Sequence, residues 1–120
     1  GYLVAGTGNK SELMIGYFTK YGDGGVDLEP LGNLYKWQVR RLARDLGIPQ
    51  PIIDRPPSAG LWTGQTDEDE LGISYDELDE TLAAIEAGQT RRVEPVLLAK
   101  VQQMMAASAH KRAMPPACPL

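Results

Sequence analysis

The chain is poor in cysteine and has neither a long apolar run nor an internal repeat, and each absence removes a class of protein. Of its 120 residues one is cysteine, Cys118, in a proline-rich tail. A lone thiol can close no internal disulfide and build no cysteine metal cluster, which fits a reducing, cytoplasmic compartment. No window reaches the ~18 uninterrupted apolar residues of a membrane-crossing helix, so no membrane partner is expected. No charged-then-apolar segment opens the chain, so no secretory signal is visible. What is present is the composition of a globular protein, 42% hydrophobic and 23% charged. The length allows at most one ordinary domain, able to withdraw well over half of its unfolded surface from water.

The net charge of −4 is unevenly spread. Between Asp67 and Glu80 stand eight acidic residues and no lysine or arginine, leaving twelve basic against eight acidic residues elsewhere. The acidic run reads as a solvated face. The remaining positive surplus suits an anionic small ligand and is too scattered for nucleic acid.

Residues 2–6 (Tyr-Leu-Val-Ala-Gly) read as a buried strand. Such a strand needs neighbours on both edges and helices on both faces. No second convincing strand follows, so those neighbours are expected in sequence outside these residues, and the chain reads as a piece of a longer domain. Helices are predicted over residues 10–18, with Asn9 as cap and Glu12 completing a capping box, and over 34–46, capped by Asn33 and stopped by Gly47 and Pro49. In the second, Tyr35, Val39, Leu42, Ala43 and Leu46 keep helical spacing, while Lys36, Arg40 and Arg44 form a basic stripe. One further turn is expected over 49–53. Residues 55–72 carry Pro56, Pro57, Gly60, Gly64 and Gly72 without periodicity and read as a structureless lid or binding loop, with Trp62 closing on something. Ser74 and Glu77 form a capping box for a helix ending at Gly88, and a last helix covers 94–110. Pro115, Pro116 and Pro119 keep the tail extended.

A strand followed by Gly6-Thr7-Gly8-Asn9 and a helix is the geometry of an anion site, because glycines let the backbone approach and unpaired amides face the ligand. It is equally an ordinary strand-to-helix turn, since neither the dinucleotide nor the Walker glycine pattern is complete. Glu12 is a helix-capping residue or a metal ligand. Lys20, Asp23 and Asp27 lie among glycines in one loop, where they either make turns or bind a polar ligand. His110 and Lys111 suit a helix C-terminus on dipole grounds alone. Trp37 and the methionines of the last helix read as packing, and Cys118 as a bystander.

Together the motifs are more specific than any one. Gly6-Thr-Gly-Asn-Lys-Ser-Glu12, Gly16-Tyr-Phe-Thr-Lys-Tyr-Gly-Asp-Gly-Gly-Val-Asp27 and Pro30-Leu-Gly-Asn-Leu-Tyr-Lys36 follow in order. So do Lys36-Trp-Gln-Val-Arg40, Pro56-Pro-Ser-Ala-Gly-Leu-Trp62, Gln65-Thr-Asp-Glu-Asp-Glu-Leu-Gly-Ile-Ser-Tyr-Asp-Glu77 and His110-Lys-Arg112. In this order they resemble the ammonia-dependent NAD synthetase family, over nearly the whole chain. The resemblance implies the C-terminal, mostly helical part of an α/β, doubly wound (Rossmann-like) parallel-sheet ATP pyrophosphatase domain.

It further implies an ATP-dependent ligase that amidates deamido-NAD to NAD through an acyl-adenylate, with Mg2+ and ammonia, free or from glutamine. By resemblance Thr7, Lys36 and Ser58 would contact ATP, the last where the family often has threonine. Glu12 would bind magnesium, and Asp23 would lie beside the ammonia and the reacting carboxylate. Lys20, Asp27, His110 and Lys111 would contact deamido-NAD, the last two plausibly across a homodimer interface, with residues 55–72 as the flap. The family's phosphate loop, Ser-Gly-Gly-x-Asp-Ser, does not occur in these residues, so adenylation by them alone is not expected. Two alternatives remain open: another amidating ATP pyrophosphatase, such as a GMP-synthetase-like enzyme, and a non-catalytic nucleotide-binding or dimerisation fragment.

Overall fold

Three capped helices set the frame, and a computed structural model describes residues 1–118 of it. The expectation at Pro119 lies outside the described residues. α1 (Lys10–Ile15) opens on Asn9, whose side chain accepts from the Glu12 amide while the Glu12 carboxylate accepts from the Asn9 amide, the reciprocal box that the sequence predicts. The helix ends at Ile15, three residues before the expected end, and is closed by Gly16 (φ 71°). A Cβ on Gly16 would lie 2.2 Å from the Ser108 Cβ, so α1 turns there against the end of the last helix.

α2 (Lys36–Asp45) begins two residues after the expected start, because its cap is not Asn33. The Tyr35 ring is buried, and two distant side chains satisfy the first helical amides. Ser11 Oγ accepts from Lys36 N at 3.0 Å, and Asp79 Oδ2 accepts from Trp37 N at 3.0 Å. The Ser11 hydroxyl in turn donates to Asp79 Oδ1. Locally only Gln38 contributes, its Oε1 accepting from Tyr35 N at 2.9 Å, and the tertiary part of the cap leaves no local signature.

α3 (Gln50–Ile53) is the expected single turn, and α5 (Tyr75–Glu86) opens on the expected Ser74–Glu77 box. Between them the supposedly structureless segment contains a short helix, α4 (Asp67–Leu71), capped by Thr66 and closed by Gly72 at φ 62°. The acidic first turn of α4 favours a helix N-terminus, a signal hidden inside the acidic run. α6 (Pro95–Ala107) ends three residues early and continues as a 3-10 turn, Ala109–Arg112.

The core sits where α1, α5 and α6 meet. Tyr75, Leu78, Leu82 and Val101 are buried, with Ile15, Tyr35 and Ile73 around them. Each fully buried aliphatic side chain there contributes about 1.5–3 kcal/mol. Met104 and Met105 pack against this cluster, as expected. The acidic run is not a uniformly solvated face, since Asp67 and Asp79 point into the protein. α2 departs from its pattern too, with Leu42 and Leu46 exposed.

The expected buried strand is not formed among the described residues. Residues 4–6 make one parallel bridge, Ala5 with Leu28, through Gly6 N to Leu28 O at 2.8 Å and Leu28 N to Val4 O at 3.3 Å. Tyr2 is wholly exposed and Leu3 is 74% exposed, because a strand buried on both faces needs neighbours that these residues do not supply. The Gly6 turn is nonetheless tightly built: the Glu29 carboxylate occupies the place where a Gly6 Cβ would lie.

Candidate active site

One cleft gathers most of the chemistry. A cavity of about 570 Å³ is lined by Thr7, Glu12, Tyr17, Asp23, Lys36, Ser58 and Asp67, with residues 55–60 as its opposite wall. The capping box fixes Glu12 on the first turn of α1, and the Ser11–Asp79 cap fixes Lys36 on the first turn of α2. Their side chains meet in an ion pair, Lys36 Nζ to Glu12 Oε1 at 3.3 Å, each less than a fifth exposed. Glu12 therefore serves as helix cap and as cleft carboxylate, so its two readings are compatible.

Tyr75 lies beneath this pair. Its hydroxyl donates to Glu12 Oε1 at 3.2 Å and to Asp67 Oδ2 at 3.0 Å, and Lys36 Nζ stands 4.8 Å from its ring centre. Burial first, then the Glu12 and Asp67 carboxylates, push the Tyr75 hydroxyl far above its ordinary range, so it remains a donor. Tyr17 donates to Glu70 Oε2 at 2.5 Å and to Asp67 Oδ1 at 3.3 Å. Burial and the Glu70 bond raise Tyr17, and the same bond, with one from Gln65, lowers Glu70.

The other expected residues divide between the cleft and its far side. Asp23 borders the main cleft and a neighbouring cavity of about 540 Å³ that holds Phe18, Gln65, Glu70 and Lys111. Its Oδ1 accepts from Thr19 N at 2.7 Å, which fixes the carboxylate within the glycine loop. Ser58 Oγ accepts from Gly60 N at 3.0 Å, leaving its proton to donate elsewhere. Asp27 lines a third cavity with Lys111 and Arg112, and its Oδ2 accepts from Val4 N at 2.8 Å. Lys111 Nζ donates to Gly16 O and Phe18 O, at 2.8 and 2.6 Å. Lys20 Nζ donates to the Ala113 carbonyl at 2.8 Å and also to that of His110, whose ring is exposed and borders none of these cavities. Thr7, Glu12, Asp23, Lys36 and Ser58 are thus brought together, while Lys20 and His110 are not. Tyr17, Asp67 and Tyr75 were absent from the sequence-based set. All three lie inside the motifs over residues 16–27 and 65–77, which was the one sequence signal that could have pointed to them.

Among the described residues no group of three histidine, cysteine or carboxylate side chains forms a metal cage. A magnesium ion needs less, since it keeps its waters and is held by one or two carboxylates together with phosphates. The hard oxygens of Glu12 and Asp67, both bonded to one tyrosine hydroxyl in one cleft, fit that requirement.

Solved structures of similar fold define the class. The chain matches "NMN synthetase from Francisella tularensis" with a TM-score of 0.85 and 42% identity, over 98% of this chain and 47% of that one. It also matches "NH3-dependent NAD synthetase from Campylobacter jejuni" at 0.77 and 32%, over 98% and 45%. It shares the fold of part of a nucleotide synthetase domain. More particularly, the chain belongs to the NAD synthase family, whose model matches residues 1–115. The NH(3)-dependent NAD(+) synthetase of Archaeoglobus fulgidus is 63% identical over 114 residues, covering 95% of this chain and 45% of that protein. The Syntrophomonas wolfei protein of that name is 55% identical over 115 residues, covering 96% and 44%. The chain spans about half the length of these relatives.

Proposed function

We propose that this chain is the C-terminal portion of a single NAD synthetase domain, and that its cleft binds ATP and magnesium while deamido-NAD is amidated to NAD. The observation carrying this reading is the meeting of Thr7, Glu12, Asp23, Lys36 and Ser58 around one cleft. In this reading residues 2–6 join a parallel sheet formed with further sequence, and the protein is a cytoplasmic homodimer with Lys20, Asp27, His110 and Lys111 on the dinucleotide.

The chemistry follows from the electrophile. A nicotinate carboxylate resists amidation because oxide would have to leave. Its oxygen therefore attacks the α-phosphorus of ATP, the bond to pyrophosphate breaks, and an acyl-adenylate forms. Ammonia then attacks the carbonyl carbon, the C–N bond forms, and AMP leaves with the electron pair of the broken C–O bond. Lys36 offsets phosphate charge, and the Thr7 and Ser58 hydroxyls orient phosphate oxygens. Glu12, with Asp67 beside it, would hold the magnesium ion, which would supply charge neutralisation at the phosphates. Asp23, fixed by Thr19 N, takes the proton from ammonium before attack. The wall formed by residues 55–60 keeps water from the adenylate.

A smaller substrate is favoured by one observation, the likeness to the Francisella protein titled NMN synthetase. In that reading the carboxylate belongs to nicotinate mononucleotide and the chemistry is unchanged. The test is an assay of the natural-length protein with ATP, magnesium, ammonium and each acid in turn. The account expects AMP and pyrophosphate to form in equal amounts with the amide, with deamido-NAD preferred at least ~10-fold in kcat/KM. Preference for the mononucleotide establishes the second reading, and amide formation from neither acid overturns both.

A further inference from the structure

The main cleft has two different ends. At one it meets the cavity of about 540 Å³ through Tyr17, Asp23 and Ala59, which line both. At the other it meets a smaller cavity of about 220 Å³ through Lys36, Ile52, Arg55 and Pro57. A carboxylate therefore marks the first end and two cations mark the second. Lys36 is already engaged, 3.3 Å from Glu12 Oε1. Arg55 makes no hydrogen bond or ion pair among the described residues.

The sequence also restricts where Arg55 can go. It follows Asp54, which closes α3, and precedes Pro56 and Pro57. A residue before proline is confined to extended backbone, and each proline ring fixes its own φ. Pro57 O then accepts from Asp67 N at 2.9 Å, tying this stretch to the start of α4. Little backbone freedom is left to lose when the guanidinium takes a ligand.

We propose that Arg55 binds, together with Lys36, the two phosphates of ATP that leave as pyrophosphate. The proposal rests on the reading of this cleft as the ATP site, with Asp23 at the end where ammonia attacks. The α-phosphorus must meet the acyl carboxylate at that end, so the β- and γ-phosphates extend toward Lys36 and Arg55. Charge favours the same placement. Three carboxylates, Glu12, Asp23 and Asp67, line the cleft against these two cations, and without Arg55 a polyanion would meet one lysine that is already paired. As the bond from the α-phosphorus to pyrophosphate breaks, its electron pair goes to the departing oxygen. A guanidinium is always charged, and its fork matches two phosphate oxygens at once.

The test is calorimetry of the natural-length protein, titrated with pyrophosphate in the presence of magnesium and, separately, with AMP. The unsubstituted protein is compared with Arg55→Gln and Arg55→Lys. The Arg55 side chain is exposed and has no bond to lose, so both variants are expected to fold. Arg55→Gln should bind pyrophosphate about tenfold to a hundredfold more weakly, with AMP affinity within about twofold of the unsubstituted value. Arg55→Lys should recover part of the loss, because it restores the charge without the fork. Pyrophosphate affinity within about twofold in Arg55→Gln overturns the assignment and leaves the ATP reading standing. An equal loss for AMP overturns it too, since AMP carries no phosphate beyond the first. An unsubstituted protein that binds neither compound overturns both the assignment and the functional reading beneath it.

Discussion

Asp79 shows how a single buried carboxylate places a residue of the cleft. It accepts from Trp37 N and from the Ser11 hydroxyl, and through these bonds the first turn of α2 is held so that Lys36 faces Glu12. Burial pulls the Asp79 carboxyl above its ordinary range, against the two hydrogen bonds, which lower it. A raised folded value means that the folded protein holds this proton more tightly than the unfolded chain. The Asp79 contribution to stability therefore falls as pH rises from about 4 through the raised folded value, and is level above it. Denaturant unfolding of the unsubstituted protein and Asp79→Asn across that window checks the sign. The stability difference should shift toward Asn as pH rises. Glu70, Glu77 and Glu86 are lowered instead, so their contributions are lost as pH falls, and they cancel between the two proteins. A difference independent of pH would contradict the burial argument.

At the scale of elements, the end of α1 meets the end of α6 at Gly16, a residue that also lines the neighbouring cavity. Gly16 ends α1 in the left-handed region and lies against Ser108, whose hydroxyl donates to Met104 O at 2.8 Å. Gly16→Ala must meet both the backbone cost and the overlap, a loss of about 2–4 kcal/mol. Urea unfolding checks it, and a loss below ~1 kcal/mol would show that the two ends separate easily. Local signals at this scale were legible in sequence. The Asn9–Glu12 and Ser74–Glu77 boxes, the stop at Gly47 and the break at Pro49 are each written in adjacent residues, whereas the left-handed Gly16 ends α1 inside the span predicted as helix. What was not legible came from distant partners. The start of α2 depends on Ser11 and Asp79, and α4 was concealed because its capping turn lies inside an acidic, glycine-flanked stretch.

At the scale of the whole molecule, the radius of gyration is 15.7 Å, against roughly 14 Å for a compact domain of this length. Tyr2, Leu3, Leu42 and Leu46 are exposed although their patterns are those of buried positions. Both facts agree with a chain spanning about half of its relatives. The strand expected over residues 2–6 is not formed among the described residues for the same reason, since its neighbours are expected in sequence outside them. Thr7, Glu12, Asp23 and Ser58 sit on turns and a helix start that local signals place, whereas the placing of Lys36 depends on the distant Ser11 and Asp79. Tyr17 and Tyr75 lie inside motifs that carry the resemblance but were given no role there, and only contact between elements separated by some sixty residues gives them one.

The claim that joins these scales is that Glu12 is at once a helix cap and the carboxylate on which the nucleotide chemistry depends. Glu12→Gln separates the two roles, because glutamine still accepts from the Asn9 amide but carries no charge for magnesium. The decisive measurement is kcat for amide formation by the natural-length Glu12→Gln protein, with the unfolding midpoint recorded on the same sample. The account predicts a fall of about 100-fold or more with the midpoint nearly unchanged. A rate within a factor of about two of the unsubstituted protein, at saturating magnesium and ATP, would contradict it.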